Sequence, residues 1–233
     1  MMKQYGLRKA LGSAAAALVL GLSFPAQAAL SHVDFESAEP RLYFEQEAIV
    51  EDGFAFSVLG GFGAVDTAGS CFIAACPAGN ETRFYQGFND GHLSLARTDG
   101  LSFQLLGFDA AFLAPLPLDP LVEAGAMRLH AVDVNGQHID RTFLFAPSGE
   151  DGLFSFTQHG SLEQPLGGMG WLQSVEFYAC TWDADGACSN PNENLGQFAL
   201  DNLVLQPVPE PATLGLLALG LGGLAWRVRR VAV

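Results

Sequence analysis

The chain has 233 residues, with 25 aspartates and glutamates against 11 lysines and arginines and a formal charge of −14. Three of the basic residues stand in the first nine positions and three in the last seven, so residues 29–208 set five arginines against 24 carboxylates, a net of −19. A surface this acidic repels phosphate backbones and anionic lipid and attracts divalent cations, which excludes a nucleic-acid partner.

Lys3, Arg8 and Lys9 form a positive start, Ala10 to Phe24 an apolar run, and Ala26-Gln27-Ala28 a small-residue cleavage site. That order reads as a signal peptide over residues 1–28, delivered by the Sec machinery and removed by signal peptidase. An uncleaved N-terminal anchor is the alternative. The body that follows, residues 29–206, is long enough for one domain with a sizeable core.

Ser31 to Glu36 alternates as a strand with Val33 and Phe35 on one face, and Glu45 to Asp52 reads as a loop or edge. Phe54 to Val58 is a second strand, broken by Gly60 to Gly63, and Ala64 to Asn80 reads as a small-residue loop. Phe84-Tyr85, then His92 to Arg97, Leu101 to Leu106 and Phe108 to Leu113 follow, separated by the turn signals Asn89-Asp90-Gly91 and Asp99-Gly100. Prolines 115, 117 and 120 interrupt regular structure. Met127 to Val134 and Gln137 to Phe145 flank Asn135-Gly136, a strong hairpin signal. Leu153 to Thr157, Trp171 to Tyr178 and Gln197 to Leu205 complete the set. Many short strands with no amphipathic helix between them predict an all-β sandwich.

Cys71 and Cys76 enclose four residues, and Cys180 and Cys188 enclose seven. Two local pairs in an exported chain are most simply two disulfides. Zinc is the alternative, but the spacings are wide for it and no histidine is adjacent. Asp183-Ala184-Asp185-Gly186 brings its glycine too early for an EF-hand loop. A two-residue turn at Asn135-Gly136 would set Asp133 opposite His138 and Ala131 opposite Asp140, making either a cross-strand charge pair or an acid–base or metal group. Of the aromatics, Tyr85, Trp171, Tyr178 and Trp182 are candidates for sugar stacking. Trp171 and Tyr178 are expected in the core, and Trp182, in a loop beside a cysteine, is expected to be exposed. There is no G-x-S-x-G elbow, phosphate loop or H-E-x-x-H pair, so nothing marks a catalytic centre.

The tail, Val208 to Arg230, stacks three parts. Pro209-Glu210-Pro211 is a stiff breaker. Ala212 to Trp226 carries no charge and reads as a short membrane-seeking helix, and Arg227, Arg229 and Arg230 are cationic anchors. About 15 residues of helix span roughly 22 Å, short of a hydrocarbon core of about 30 Å, so snorkelling arginines and local thinning must close the gap. A core helix of the globular domain is the competing reading, and the lack of a polar face opposes it.

Residues 207–233 resemble the PEP-CTERM sorting signal of Gram-negative bacteria. The resemblance implies export, an inner-membrane-anchored precursor, cleavage near Pro209-Glu210-Pro211 by the transpeptidase exosortase, and then the cell surface or the extracellular space. The body resembles the jelly-roll sandwiches of PEP-CTERM proteins, which are similar to carbohydrate-binding modules. The matching residues are Asp34-Phe35-Glu36, Val175-Glu176-Phe177 and Phe198 to Leu203, with a Q-F-x-x-D pattern at Gln197 to Asp201. That resemblance implies Ca²⁺ where the first and last strands meet, on Glu36 and Asp201 with Asp34 and Asn202 beside them. Hard oxygen ligands suit calcium, and a competing reading has Asp201-Asn202 merely capping a turn. The expected role is non-catalytic, structural or carbohydrate- and calcium-binding, in exopolysaccharide or biofilm. A secreted carbohydrate-active hydrolase and a surface- or ice-binding adhesin are the alternatives.

Overall fold

A computed structural model describes residues 29–67, 71, 74–116, 125–182, 185–189, 195–208 and 220. The expected signal peptide, Pro209-Glu210-Pro211, the anchor helix with Arg227, Arg229 and Arg230, and Asp183 lie outside these residues. Ala29–Val208 forms a compact unit of its own. Among the described residues no helix is long and apolar enough to cross a membrane.

In chain order the strands are β1 (Ser31–Val33), β2 (Arg41–Phe44), β3 (Ala48–Glu51), β4 (Phe54–Leu59), β5 (Phe62–Thr67) and β6 (Ala74–Ala75). Next come β7 (Arg83–Phe88), β8 (His92–Arg97), β9 (Phe103–Phe112), β10 (Ala114–Pro115), β11 (Ala126–Asp133) and β12 (His138–Leu144). β13 (Thr157–Gly160), a single 3₁₀ turn at Leu166–Gly168, β14 (Leu172–Trp182), β15 (Cys188–Ser189) and β16 (Phe198–Pro207) finish the domain. Every pairing between these strands is antiparallel.

One layer runs β2-β5-β7-β16-β9-β13, with β1 laid beside the second half of β16. The other runs β3-β4-β8-β14-β11-β12. The two join at a corner where Leu172 of β14 pairs with Phe103 of β9. The molecule is a jelly-roll-like β-sandwich. Strand alternation decides which residues fill it: Phe54, Phe56 and Val58 of β4 are buried, whereas Ala55, Ser57 and Leu59 face outward. Inward side chains from both layers meet edge to face, as in Phe54–Phe103, Phe108–Phe177 and Phe35–Phe56, with ring centroids 5.5, 5.5 and 5.3 Å apart. Each such aromatic pair contributes about 0.5–1.5 kcal/mol beyond its buried area. Tyr85 is wholly buried among them, so it is core and not a stacking platform.

A second, smaller apolar cluster lies on the outer face of the first layer. Phe84, Phe88, Ala111, Leu113 and Ala199 are covered there by the segment carrying Cys71 and Ala74. Disulfides join Cys71 to Cys76 and Cys180 to Cys188, with Cα separations of 5.2 and 5.4 Å that suit an ordinary bridge. Zinc ligation by these cysteines is thereby ruled out.

Several expectations from the sequence are corrected. The first strand stops at Val33, because the chain turns there: Phe35 sits at φ 56° and Ala38 donates its amide to the Phe35 carbonyl. The interval expected as a loop from Ala64 holds most of β5, since Ala64 and Val65 are buried against β7. Leu101 to Leu106 and Phe108 to Leu113 are one strand, carried through Gly107 by pairing with β16 and β13. The strand expected at Leu153 to Thr157 lies instead at Thr157–Gly160.

The Asn135-Gly136 hairpin exists, but its loop has three residues. Asp133 accepts the Gly136 amide and donates to Gln137, with Gly136 at φ 76°, the pattern of a type I turn closed by a glycine bulge. The register is therefore Val132 opposite His138 and His130 opposite Asp140, one residue away from the expected pairing. Asp133 binds the turn amides of Asn135 and Gln137 and takes no part in a cross-strand group with His138.

Candidate functional site

β16 changes partner in mid-strand: Phe198 to Leu200 pair with β7, and Leu203 to Leu205 pair with β1. Between them the pairing with β9 slips at Asp201–Val204, and Asn202 takes φ 50°. This bulge turns Asp201 into the fold, where its side chain is fully buried. Its Oδ2 accepts from Asn80 Nδ2 at 2.5 Å and from Thr82 Oγ1 at 3.4 Å, and its Oδ1 accepts from the Asn202 amide at 2.8 Å. Burial, with the like charge of Asp34 added, outweighs these donors and pushes the carboxyl up to about 7.

Asp34 also hydrogen-bonds Glu51, at the end of the edge strand β3. Glu51 is only 9% exposed and its Oε2 has no hydrogen-bond partner. Burial raises its pKa, a hydrogen bond from Ser37 opposes the rise, and Asp34 adds to it. Asp34 is thus coupled to two buried carboxyls, Glu51 and Asp201. Glu36 stands beside the same corner: its Oε1 accepts the Arg83 amide at 2.7 Å, and Arg83 Nη1 donates to the Glu36 carbonyl at 2.6 Å. Asn202 turns its side chain to Asp109 of β9, Nδ2 to Oδ2 2.9 Å.

Of the residues expected at a calcium site, Asp34 and Asp201 are therefore brought into mutual influence, Glu36 caps the start of β7, and the Asn202 side chain points to Asp109. Asn80 and Thr82, which bind Asp201, and Glu51, which couples to Asp34, were missed, since nothing local in the sequence connects them. The donor set is all hard oxygen, and a buried carboxylate oxygen without a partner is what a cation would compensate, so the residues fit Ca²⁺. Among the described residues no three carboxylate, histidine or cysteine side chains close around one point. An ion here would draw the rest of its shell from amide, hydroxyl and carbonyl oxygens and from water.

The solvent face of the second layer carries a different set. Tyr178 of β14 stands between His92 of β8, stacked at 4.5 Å and 15°, and the Arg128 guanidinium of β11, 5.8 Å from its ring. Tyr178 is half-exposed and not core as expected, because its neighbours Phe177 and Ala179 take the inward positions. In the next row Glu176 lies opposite His130, which lies opposite Asp140. Trp182, the residue expected to stack on a ligand, is half-buried at the end of β14, opposite Cys188.

Residues 207–230 match the family model described as the PEP-CTERM protein-sorting motif. This chain carries a PEP-CTERM sorting signal. With it the protein is an exported one, held by a C-terminal membrane anchor before exosortase processing. No curated protein matches the sequence. Solved structures that resemble it include three carbohydrate-binding modules. The CBM22-1 xylan-binding domain from Paenibacillus barcinonensis Xyn10C is 14% identical, with 80% of this chain and 99% of that one covered, at a TM-score of 0.34. CtCBM11 is 13% identical, with 80% and 100% covered, at 0.30. The C-terminal family 22 carbohydrate-binding module of Clostridium thermocellum Xyn10B is 12% identical, with 79% and 95% covered, at 0.28. At these identities and scores the likeness brings neither a ligand nor a site to the PEP-CTERM protein, whose fold rests on its own strand pairing.

Proposed function

We propose that this protein is a non-catalytic cell-surface or extracellular-matrix component. Its acidic sandwich is the cargo, held at the inner membrane until exosortase cuts near Pro209-Glu210-Pro211. The sorting motif at residues 207–230 carries the reading, since it begins on the last residue of β16 and leaves no further domain between sandwich and signal. Arg227, Arg229 and Arg230 anchor the precursor on the cytoplasmic side. Calcium at the corner of Asp34, Glu51 and Asp201 would neutralise buried carboxylates and tie β1, β3 and β16 together. The Arg128–Tyr178–His92 layer favours an exopolysaccharide or biofilm setting, because planar polar side chains on an open sheet face suit sugar hydroxyls and ring faces. Signal peptidase, the Sec machinery and exosortase are the processing partners, and polysaccharide is the extracellular one.

Replacing Pro209, Glu210 and Pro211 together by alanine should leave full-length, membrane-bound precursor in fractionated cells. Unchanged processing and release would sink the sorting assignment.

A further inference from the structure

The hairpin of β11 and β12 holds a histidine pair that nothing above uses. His130 Nδ1 lies 2.9 Å from Asp140 Oδ1, and His130 Nε2 lies 3.0 Å from His138 Nδ1. The Asp140 carboxylate can only accept, so it fixes the proton of His130 on Nδ1 and leaves a lone pair on Nε2. That hydrogen bond holds Asp140 below the usual carboxylate range. The His138 Nδ1–H then points at the His130 lone pair. The ring centroids are 5.0 Å apart with 23° between planes, so the rings meet edge to edge through their nitrogens.

We propose that His130 Nε2 and His138 Nδ1 chelate a divalent transition ion, Cu²⁺ in preference to Zn²⁺, with water completing the shell. A ligating histidine whose other nitrogen is tied to a carboxylate is the usual arrangement around such ions, and Asp140 already makes that bond. Two nitrogens on one ion with bonds of about 2.0–2.1 Å are roughly 2.9 Å apart at a right angle and roughly 3.3 Å apart in a tetrahedron. The observed 3.0 Å falls inside that interval. The ion takes the place of the shared proton, which His138 releases to solvent. The two lone pairs converge once the His138 ring turns, and this ring is free to do so because it is exposed. Imidazole selects copper and zinc, whereas the all-oxygen corner at Asp201 selects calcium, so the two sites are chemically distinct. Glu176, opposite His130 on β14, and the net charge of the body add negative potential that concentrates cations here.

The test titrates Zn²⁺ and Cu²⁺ into the processed protein by calorimetry and follows imidazole ¹⁵N shifts. One equivalent should bind, with shifts at His130 and His138. His130→Gln or His138→Gln should each weaken binding at least tenfold, and Asp140→Asn about tenfold. Melting of each variant checks that it is folded, and its response to Ca²⁺ should match the parent. Absence of binding, parental affinity in either histidine variant, or shifts at His32, His92 or His159 instead would overturn the proposal. This inference stands apart from the sorting and calcium readings, and neither outcome for it bears on them.

Discussion

The Asp201 carboxylate and the Asn80 side-chain amide meet at 2.5 Å across 121 residues of chain. This contact ties the segment leading into β7 to the bulge in the last strand, just where β16 exchanges one neighbour for another. Near it stand two more carboxyls, the half-buried Asp34, coupled to both Asp201 and Glu51, and the buried Glu51. Two buried carboxyls with raised pKa values make this corner sensitive to cations and to pH.

Calcium should stabilise the protein through this corner. At 100 times its dissociation constant, a ligand specific to the folded state adds about 2.7 kcal/mol. In a domain of this size each kcal/mol raises the midpoint by about 2–4 °C, so the rise should be roughly 5–10 °C. Asp201→Asn and Glu51→Gln should each remove most of it. Identical melting in millimolar Ca²⁺ and in chelator would discard the ion.

In chelator, Asp201 should make stability fall as pH rises. Its carboxyl is pushed up to about 7 from an ordinary 3.8, so between those values the folded protein keeps a proton that the unfolded chain has lost. The contribution is whole below about pH 4 and is lost as pH climbs through 7. Asp201→Asn should flatten that limb of a denaturation-midpoint profile. A limb of the same slope in the variant would assign the effect to another group.

The Cys71–Cys76 bridge holds the cover of the outer apolar cluster. Closing so short a loop removes about 2 kcal/mol of unfolded-state entropy, so Cys71→Ser with Cys76→Ser should cost about that much in a denaturant titration. The double variant should also be cut faster between β5 and β7 by a protease. Parental stability and parental cleavage would mean the cover holds without its bridge.

Gly87 of β7 lies beneath the Phe198 ring, and a Cβ there would come within 2.5 Å of Phe198 Cε1. Gly87→Ala should therefore destabilise the protein by about 1–3 kcal/mol, read as a lowered urea midpoint at unchanged slope. Gly53→Ala, where no atom stands within 4 Å, is not a neutral control, because Gly53 has φ +80°. Ala55→Ser, on the outward face of β4, serves better.

Local chemistry was enough to read the C-terminal sorting signal and the all-β class. Alternation at Phe54 to Val58, the Asn135-Gly136 turn and the P-E-P tail are signals that neighbouring residues carry without help from the fold. Cysteine pairs five and eight residues apart were legible for the same reason, since short loops close first. What the sequence left open depended on contacts between distant strands. Whether the turn after Asp133 takes two residues or three decides which face His130 shares with His138, and an Asn-Gly pair permits both. Asn80 and Thr82 join Asp201 only because β16 bulges between β7 and β1. Tyr178 faces water only because Phe177 and Ala179 fill the layer beneath. Periodicity tells which residues alternate, but only packing of one layer on the other selects the buried face and the register.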